Sequence, residues 1–459
     1  MIRIKIISII ALLGLALAVS AQCPLRIKGG DAVSVGLYIA PVDRTAMPVV
    51  EHDSGRLLTP ASIMKSLTMA TALELLGPDF RWNTRVMAHG NLSHDGTLNG
   101  DIVIIGSGDP TLESRHFKEH PSFVASLVNA VKAHGIKTIR GKIRIYDAAV
   151  PHGGAVPSWE VEDIAWDYGA GTYAINYADN TFTLQIPSMQ VYPPVPGLKI
   201  VDRREGQSGK IDISRGAGSD ILFIYGSLGA RKQASFPCSM PDPGSALVQM
   251  VESRLVAAGI AVEREDVPQQ SFRPGCGGAV EILSFDSPPL RDVGRSLMVR
   301  SDNLMAEATL RALAPGMPLK NAIQREIRFW HDKGVDLSCS RINDGSGLSR
   351  ANAVSAAQLG AVLRAMAASL QRNDYVDVFA RVGLDGTMRS FLNRHERKGE
   401  FVLKSGSMGG VQCYAGYRID PESRIPTHVI VVMVNNLVGS RTELRKAVET
   451  LLLDTAYDP

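Results

Sequence analysis

Cysteine is scarce in this chain: five residues in 459, at positions 23, 238, 276, 339 and 413, and no two of them form a Cys-Xaa-Xaa-Cys pair. That spacing excludes a thioredoxin-like redox motif and a zinc ribbon, and five is too few for a disulfide scaffold. An odd set in an oxidising compartment leaves at least one thiol free, and Cys238 with Cys276 is the pairing with most in its favour. Charge of one sign is equally lacking. Forty-nine basic residues against 46 acidic ones give a net charge of +3, which offers no grounds for nucleic-acid binding. No Gly-Xaa-Ser-Xaa-Gly elbow occurs, which argues against an α/β-hydrolase with a Ser-His-Asp triad. Internal repeats are missing too. Long apolar runs are absent beyond residue 22, so nothing after the N-terminus is expected to cross a bilayer.

The N-terminus carries the one apolar run, Ile6 to Val19, behind Arg3 and Lys5 and ahead of Val19-Ser20-Ala21. It is shorter than the ~20 residues a spanning helix needs, and the order basic, apolar, small is that of a secretory signal cleaved after Ala21. The mature protein is expected to be periplasmic or otherwise extracytoplasmic, with at most peripheral membrane association. Gln22 stands before Cys23 where a lipoprotein needs a small residue.

About 440 residues remain, more than one core accommodates and enough for two or three domains. Val35 to Ala40 reads as a strand, with a second short one near Val49. Thr59 as N-cap and Pro60 as first residue open a helix from Ala61 to Leu76 that Gly77-Pro78 stops. At the far end Phe401–Lys404, Val411–Ile419 and His428–Val434 read as strands and Arg441–Tyr457 as a closing helix. Two early and three late strands predict one antiparallel sheet of five, its halves separated by an insertion. The expected division is a signal over 1–21, a site-bearing domain over 22–84 and 285–459, and a β-rich insertion over 85–284. A second inserted domain is nested at about 178–238. Helices are expected to fill 290–370.

Three short motifs carry chemistry. Ser62 and Lys65 lie one helical turn apart, so a hydroxyl and an amine share a face. A desolvated Lys65 would have a lowered pKa and could take the Ser62 proton. About one or two Ser-Xaa-Xaa-Lys matches arise by chance in such a chain. Ser301-Asp302-Asn303 adds a hydroxyl that can relay protons and an amide that can hold both Lys65 and a substrate backbone; read alone, Ser301 would simply cap a helix. Lys404-Ser405-Gly406-Ser407 closes an apolar strand, offering an ammonium and hydroxyls to a carboxylate, and the Ser407 amide can pair with that of Ser62 as an oxyanion hole. A rival metal reading rests on His116-Phe117-Lys118-Glu119-His120, which matches the His-Xaa-Xaa-Glu-His zinc pattern but sits ahead of Pro121 in loop-like sequence.

Ser-Xaa-Xaa-Lys, Ser-Xaa-Asn and Lys-(Thr/Ser)-Gly in this order resemble the penicillin-recognising serine enzymes. Ser62 and Ser301 are about 240 residues apart, and that long separation resembles the class C low-molecular-mass penicillin-binding proteins, the DacB-type D-Ala-D-Ala carboxypeptidases and endopeptidases. Gly106-Ser107-Gly108-Asp109-Pro110, Asp344 to Arg350, Leu384 to Thr387 and Val434-Asn435-Asn436 extend the likeness over nearly the whole mature chain. The resemblance implies an α+β fold with a penicillin-binding-protein/β-lactamase-like transpeptidase domain and inserted β-rich accessory domains. It implies Ser62, Lys65, Ser301, Asn303 and Lys404 as catalytic residues, and Ser405, Gly406 and Ser407 as substrate-binding. Asp163 is implied for a substrate ammonium, Tyr168 for its aliphatic chain and Arg350 for a carboxylate. Peptidoglycan stem peptides are the implied substrates and β-lactams the inhibitors, with no cofactor or metal. Departures are Ser405 in place of the commoner threonine and Gly409 where some relatives carry a polar side chain. A catalytically weak wall-binding protein on the same fold is the alternative of a different class.

Overall fold

The computed structural model describes residues 23–264, 272–275 and 277–454. The expected signal segment and Cys276 lie outside them. Cys238 is buried, and its Sγ lies 3.6 Å from the Phe236 carbonyl.

One antiparallel sheet joins the two ends of the chain. Its order is Ala380–Arg381, Phe401–Met408, Val411–Ile419, Pro426–Asn435, Ser34–Pro41 and Val50–His52. Six strands replace the expected five because Ala380–Arg381 pairs with Val402 and Leu403 through only two residues, too short a run to leave a period in the sequence. Both faces are covered, so the Pro426–Asn435 strand reads as an almost unbroken apolar run. Val429, Val431 and Met433 face a helical core, whereas Ile430, Val432 and Val434 face a second core closed by Leu444, Val448 and Leu452 of the Arg441–Asp454 helix. The Met64–Leu76 helix is buried at every position from Met64 to Leu73 and stands at the centre of the helical core, so its polar side chains Lys65, Ser66, Thr68 and Thr71 are buried along with the apolar ones.

Between the halves, a separate core packs the helices Phe123–Ala133 and Pro243–Ala257 on a mixed sheet built around Asn83–Leu92 and Thr97–Ile105. Two three-stranded sheets, one centred on Thr181–Ile186 and one on Ile221–Gly226, complete the inserted region. The stretch His116 to His120 runs through turns, with the His120 Nε2 2.9 Å from the Asp286 carbonyl. Among the described residues no three His, Cys, Asp or Glu side chains converge as a metal-ligand set.

Candidate active site

The helix bearing Ser62 does not start as its sequence suggests. Thr59 makes no side-chain cap; instead Asn435 clamps its backbone from both sides, its Oδ1 accepting from the Thr59 N–H at 2.8 Å and its Nδ2 donating to the Thr59 carbonyl at 3.0 Å. Ala61–Ile63 then forms a 3₁₀ turn, and the α-helix begins at Met64. Ala61 holds φ +49°, a left-handed conformation that a non-glycine residue adopts only when its surroundings impose it. Two glycines permit those surroundings. A Cβ on Gly406 would stand 2.8 Å from both the Pro60 carbonyl oxygen and the Ser62 nitrogen, and one on Gly347 would stand 1.9 Å from the Ala61 carbonyl oxygen. The Lys404-Ser405-Gly406-Ser407 motif lies inside the Phe401–Met408 strand rather than at its end, and Gly406 lets that strand lie directly against the Ser62 turn.

Lys65 is fully buried. Its Nζ is 3.0 Å from the Ser62 Oγ, 2.6 Å from the Asn303 Oδ1 and 2.6 Å from the Ser346 carbonyl. Burial disfavours the ammonium and pulls the Lys65 pKa down to about 8, against the opposing pull of the Asp344, Glu307 and Asp302 carboxylates. Asn303 opens the helix Asn303–Ala312, whose N-cap is Asp302 through its bond from the Met305 N–H at 2.8 Å. The cap is thus one residue later than the simplest reading of the motif. Ser301 takes a left-handed φ of +64° at the end of the preceding helix.

Lys404 is also fully buried, and its Nζ donates to the Ser405 carbonyl at 2.5 Å. Burial and then the neighbouring charge of Lys65 push its pKa well below the ordinary lysine value. Ser405 donates to the Thr387 hydroxyl at 2.8 Å and is half-buried, while Ser407 is exposed.

The structure brings Asp163, Tyr168 and Arg350 to the same neighbourhood. The Tyr168 hydroxyl donates to the Asp163 Oδ1 at 3.1 Å, and the Tyr168 carbonyl accepts from the Asn303 Nδ2 at 2.7 Å. The Asn303 amide therefore holds Lys65 with its oxygen and the inserted region with its nitrogen, where the sequence suggested a substrate backbone. Arg350 pairs with Glu160 at 2.9 Å and donates to the Gly409 carbonyl at 3.1 Å. A Cβ on Gly409 would stand 2.9 Å from the guanidinium, so that guanidinium fills space next to the missing side chain.

Sequence reasoning missed three supporting residues. Glu307 accepts from the Gly345 and Ser346 N–H groups at 3.0 and 2.8 Å, fixing the carbonyl that holds Lys65. Asp344 gathers the Gly347 and Ser349 amides, the Asn352 side chain and the indole N–H of Trp159 from the inserted region. Thr387 holds Ser405. Asp344 and Thr387 fall within stretches that carry the likeness, but without a role assigned to them, and Glu307 stands only as a polar residue in an otherwise apolar run.

A turn that exposes a serine, a buried amine beside its hydroxyl and a strand laid across both define an active-serine enzyme of the penicillin-binding-protein/β-lactamase-like fold. The crystal structure of penicillin-binding protein 4 (dacB) from Haemophilus influenzae superposes with a TM-score of 0.79 at 20% identity, covering 94% of this chain and 97% of that one. The chain belongs to the D-Ala-D-Ala carboxypeptidase 3 (S13) family, which it matches over residues 28–452. It is a serine-type peptidase of the DacB type. It is 25% identical over 418 residues to the D-alanyl-D-alanine carboxypeptidase of Actinomadura sp. (strain R39), covering 84% of this chain and 75% of the relative. It is 26% identical over 436 residues to carboxypeptidase DacB of Mycolicibacterium smegmatis, covering 90% and 81%. The Haemophilus protein is also similar when complexed with a novel β-lactam, with a TM-score of 0.74 at 20% identity over 95% of this chain and 98% of that one.

Proposed function

We propose that this enzyme is exported through a cleaved signal and hydrolyses D-alanyl bonds of peptidoglycan stem peptides in the periplasm by way of an acyl-enzyme on Ser62. It acts at chain ends as a carboxypeptidase and in cross-links as an endopeptidase. The observation that carries the reading is the 3.0 Å contact between the Ser62 hydroxyl and a fully buried Lys65 whose pKa falls to about 8. Near neutral pH an appreciable share of Lys65 is then unprotonated and able to act as a base.

Neutral Lys65 takes the Ser62 proton as the Oγ attacks the carbonyl carbon of the penultimate D-alanine. The tetrahedral oxyanion is held by the Ser62 and Ser407 amides. The C–N bond then breaks, and the leaving amine receives the proton from Lys65 by way of Ser301. Water attacks the resulting ester, returns its proton through Lys65 and frees Ser62. Ser405 and Ser407, with Lys404 behind them, hold the terminal carboxylate, and Gly406 lets the peptide lie along the strand edge. Asp163, Tyr168 and Arg350 read the side chain of the diamino acid. A β-lactam presents a carbonyl and carboxylate in the same places, so it acylates Ser62 as well.

Labelled penicillin followed by peptide mapping tests the assignment. A single adduct on the peptide containing Ser62, with D-alanine released from a pentapeptide by unlabelled enzyme, is the expected result. An adduct elsewhere overturns the nucleophile, and stable folding with neither labelling nor release favours the wall-binding alternative.

A further inference from the structure

Apart from the site around Ser62, the inserted region holds a solvent-open cavity of about 770 Å³. The helices Phe123–Ala133 and Pro243–Ala257 form one wall and the Thr181–Ile186 strand another. Asp179, Arg115 and Thr181 line this cavity and also a recess of about 250 Å³ lined by Tyr168 and by Ser301, Asp302 and Asn303. The two spaces therefore share a wall, and the second reaches the active-site motif.

Its chemistry is specific enough to choose among ligands. Tyr192 is 77% exposed and lines the cavity, with one aromatic ring free to be covered. Tyr177 is only 4% exposed and lines the same wall. Burial first, then the Glu113 charge, raises the pKa of its hydroxyl to about 12, against the opposing pull of Arg254. Glu113 is fixed in the wall by bonds from Ser122 at 2.7 Å and from the Val124 N–H at 2.9 Å. Arg254 is exposed and makes no ion pair among the described residues, and Asn129 adds an exposed amide. The charged groups on the wall are two carboxylates, Glu113 and Asp179, and two guanidiniums, Arg115 and Arg254. Asp179 and Arg115 neutralise each other at 3.3 Å. A balanced wall gives no net pull on an anion or a cation. It suits a neutral ligand with apolar ring faces for the tyrosine and many hydroxyl and amide groups for Glu113, Tyr177, Asn129 and Arg254.

We propose that this cavity is a saccharide-binding site that holds an N-acetylated hexosamine segment of the wall polymer while Ser62 acts on the peptide attached to it. The choice of polymer rests on the function proposed above; the saccharide chemistry rests on the cavity alone. Holding the glycan would raise the local concentration of its stem peptide without touching the chemistry, so the site should act on KM rather than kcat.

Titration of the full chain with the trimer of N-acetylglucosamine tests the site, and hydrolysis of matched substrates tests its use. Wild-type protein should bind the trimer, and Tyr192→Ala or Arg254→Ala should weaken that binding about tenfold. The same variants should raise KM at least fivefold for a glycan-linked pentapeptide while leaving kcat, KM for the free pentapeptide and penicillin acylation within twofold. Both side chains are exposed, so neither change should prevent folding. No trimer binding by wild type, or an unchanged KM for the glycan-linked substrate in both variants, overturns the proposal. So does a KM effect confined to a glycan-free cross-linked peptide, which would make the occupant a second peptide. Trimer binding lost in Tyr192→Ala, in an enzyme that cleaves neither peptide, keeps the saccharide site and removes the proposed function instead.

Discussion

Both regions of this molecule bury positive charge on arginine, but among the described residues only the body also buries it on lysine. In the inserted region the buried cation is Arg215, which donates to the Ser219 carbonyl at 3.1 Å, the Ser239 hydroxyl at 2.6 Å and the Ile164 carbonyl at 3.4 Å. The body around the central helix also buries arginines, Arg364 and Arg397, but its fully buried cations among the described residues are Lys65 and Lys404. A guanidinium keeps its proton near neutral pH whatever its surroundings, so Arg215 can only tie loops together. A lysine ammonium gives way to desolvation. The body places two such amines close enough that the charge of Lys65 opposes that of Lys404, and sets Lys65 beside a serine hydroxyl. The same burial is therefore structural for the arginines and chemical for Lys65, and what decides is whether the buried cation can lose its proton.

The largest effect should come from removing the atom that reacts. Ser62→Ala should abolish penicillin labelling and lower D-alanine release by about 10⁴-fold or more, with unfolding near wild type because Ser62 is only half-buried. Retained labelling in this variant would break the comparison at its root, since the lysine would then be serving some other group.

Lys65→Arg puts the cation that cannot lose its proton in place of the one that can. It keeps the charge but cannot supply a neutral base, so acylation should fall by about a thousandfold. In the wild type the base form is the unprotonated one, and with a Lys65 pKa of about 8 the acylation rate should rise with pH and level off above that value. Stopped-flow acylation between pH 6 and 10 reads this directly. A rate flat across that range, or wild-type speed in the Lys65→Arg variant, would mean that another base serves Ser62.

A smaller effect is expected where the inserted region meets the substrate. Asp163→Ala and Arg350→Ala should each lower kcat/KM about tenfold for a peptide with a free diamino side chain, and leave penicillin acylation nearly unchanged. Arg350 already shares its charge with Glu160, and both are more than a third exposed, so the contact is screened and the lower end of the range for charge-assisted bonds applies. Equal losses in both assays would turn these residues into supports of the active site.

Much of this was legible in the sequence, for physical reasons that differ by residue. Ser62 and Lys65 declare themselves because three-residue spacing on a helix is a local fact, and the strand Val411–Ile419 has the bounds its apolar run suggests. Ala380–Arg381 was invisible because two residues carry no period. The entry to the first helix was misread because Thr59 and Pro60 form a good local start signal, but Asn435, some 376 residues away, takes the Thr59 backbone instead. Glu307 and Asp344 escaped because their role depends on which distant amides they meet, and no spacing encodes that.

The smallest expected effect probes the single indole bond that joins the two regions at Asp344. Trp159, buried in the inserted region, donates its Nε1–H to the Asp344 Oδ2 at 2.9 Å, and the same oxygen accepts from the Ser349 N–H at 2.6 Å. Trp159→Phe keeps an aromatic ring but removes that donor. Asp344 retains bonds from Gly347, Ser349 and Asn352, so the carboxylate is not stranded. The loss should approach the roughly 1.5 to 3 kcal/mol typical of a hydrogen bond to a charged group, from its lower end. Because Asp344 also shapes the loop whose Ser346 carbonyl holds Lys65, acylation should slow by about twofold to fivefold. Measuring the unfolding midpoint alongside penicillin acylation separates two outcomes. A stability loss with unchanged acylation would make this bond a seam between regions and nothing more. Slower acylation together with a shifted pH midpoint would show that the inserted region helps to set the charge state of Lys65.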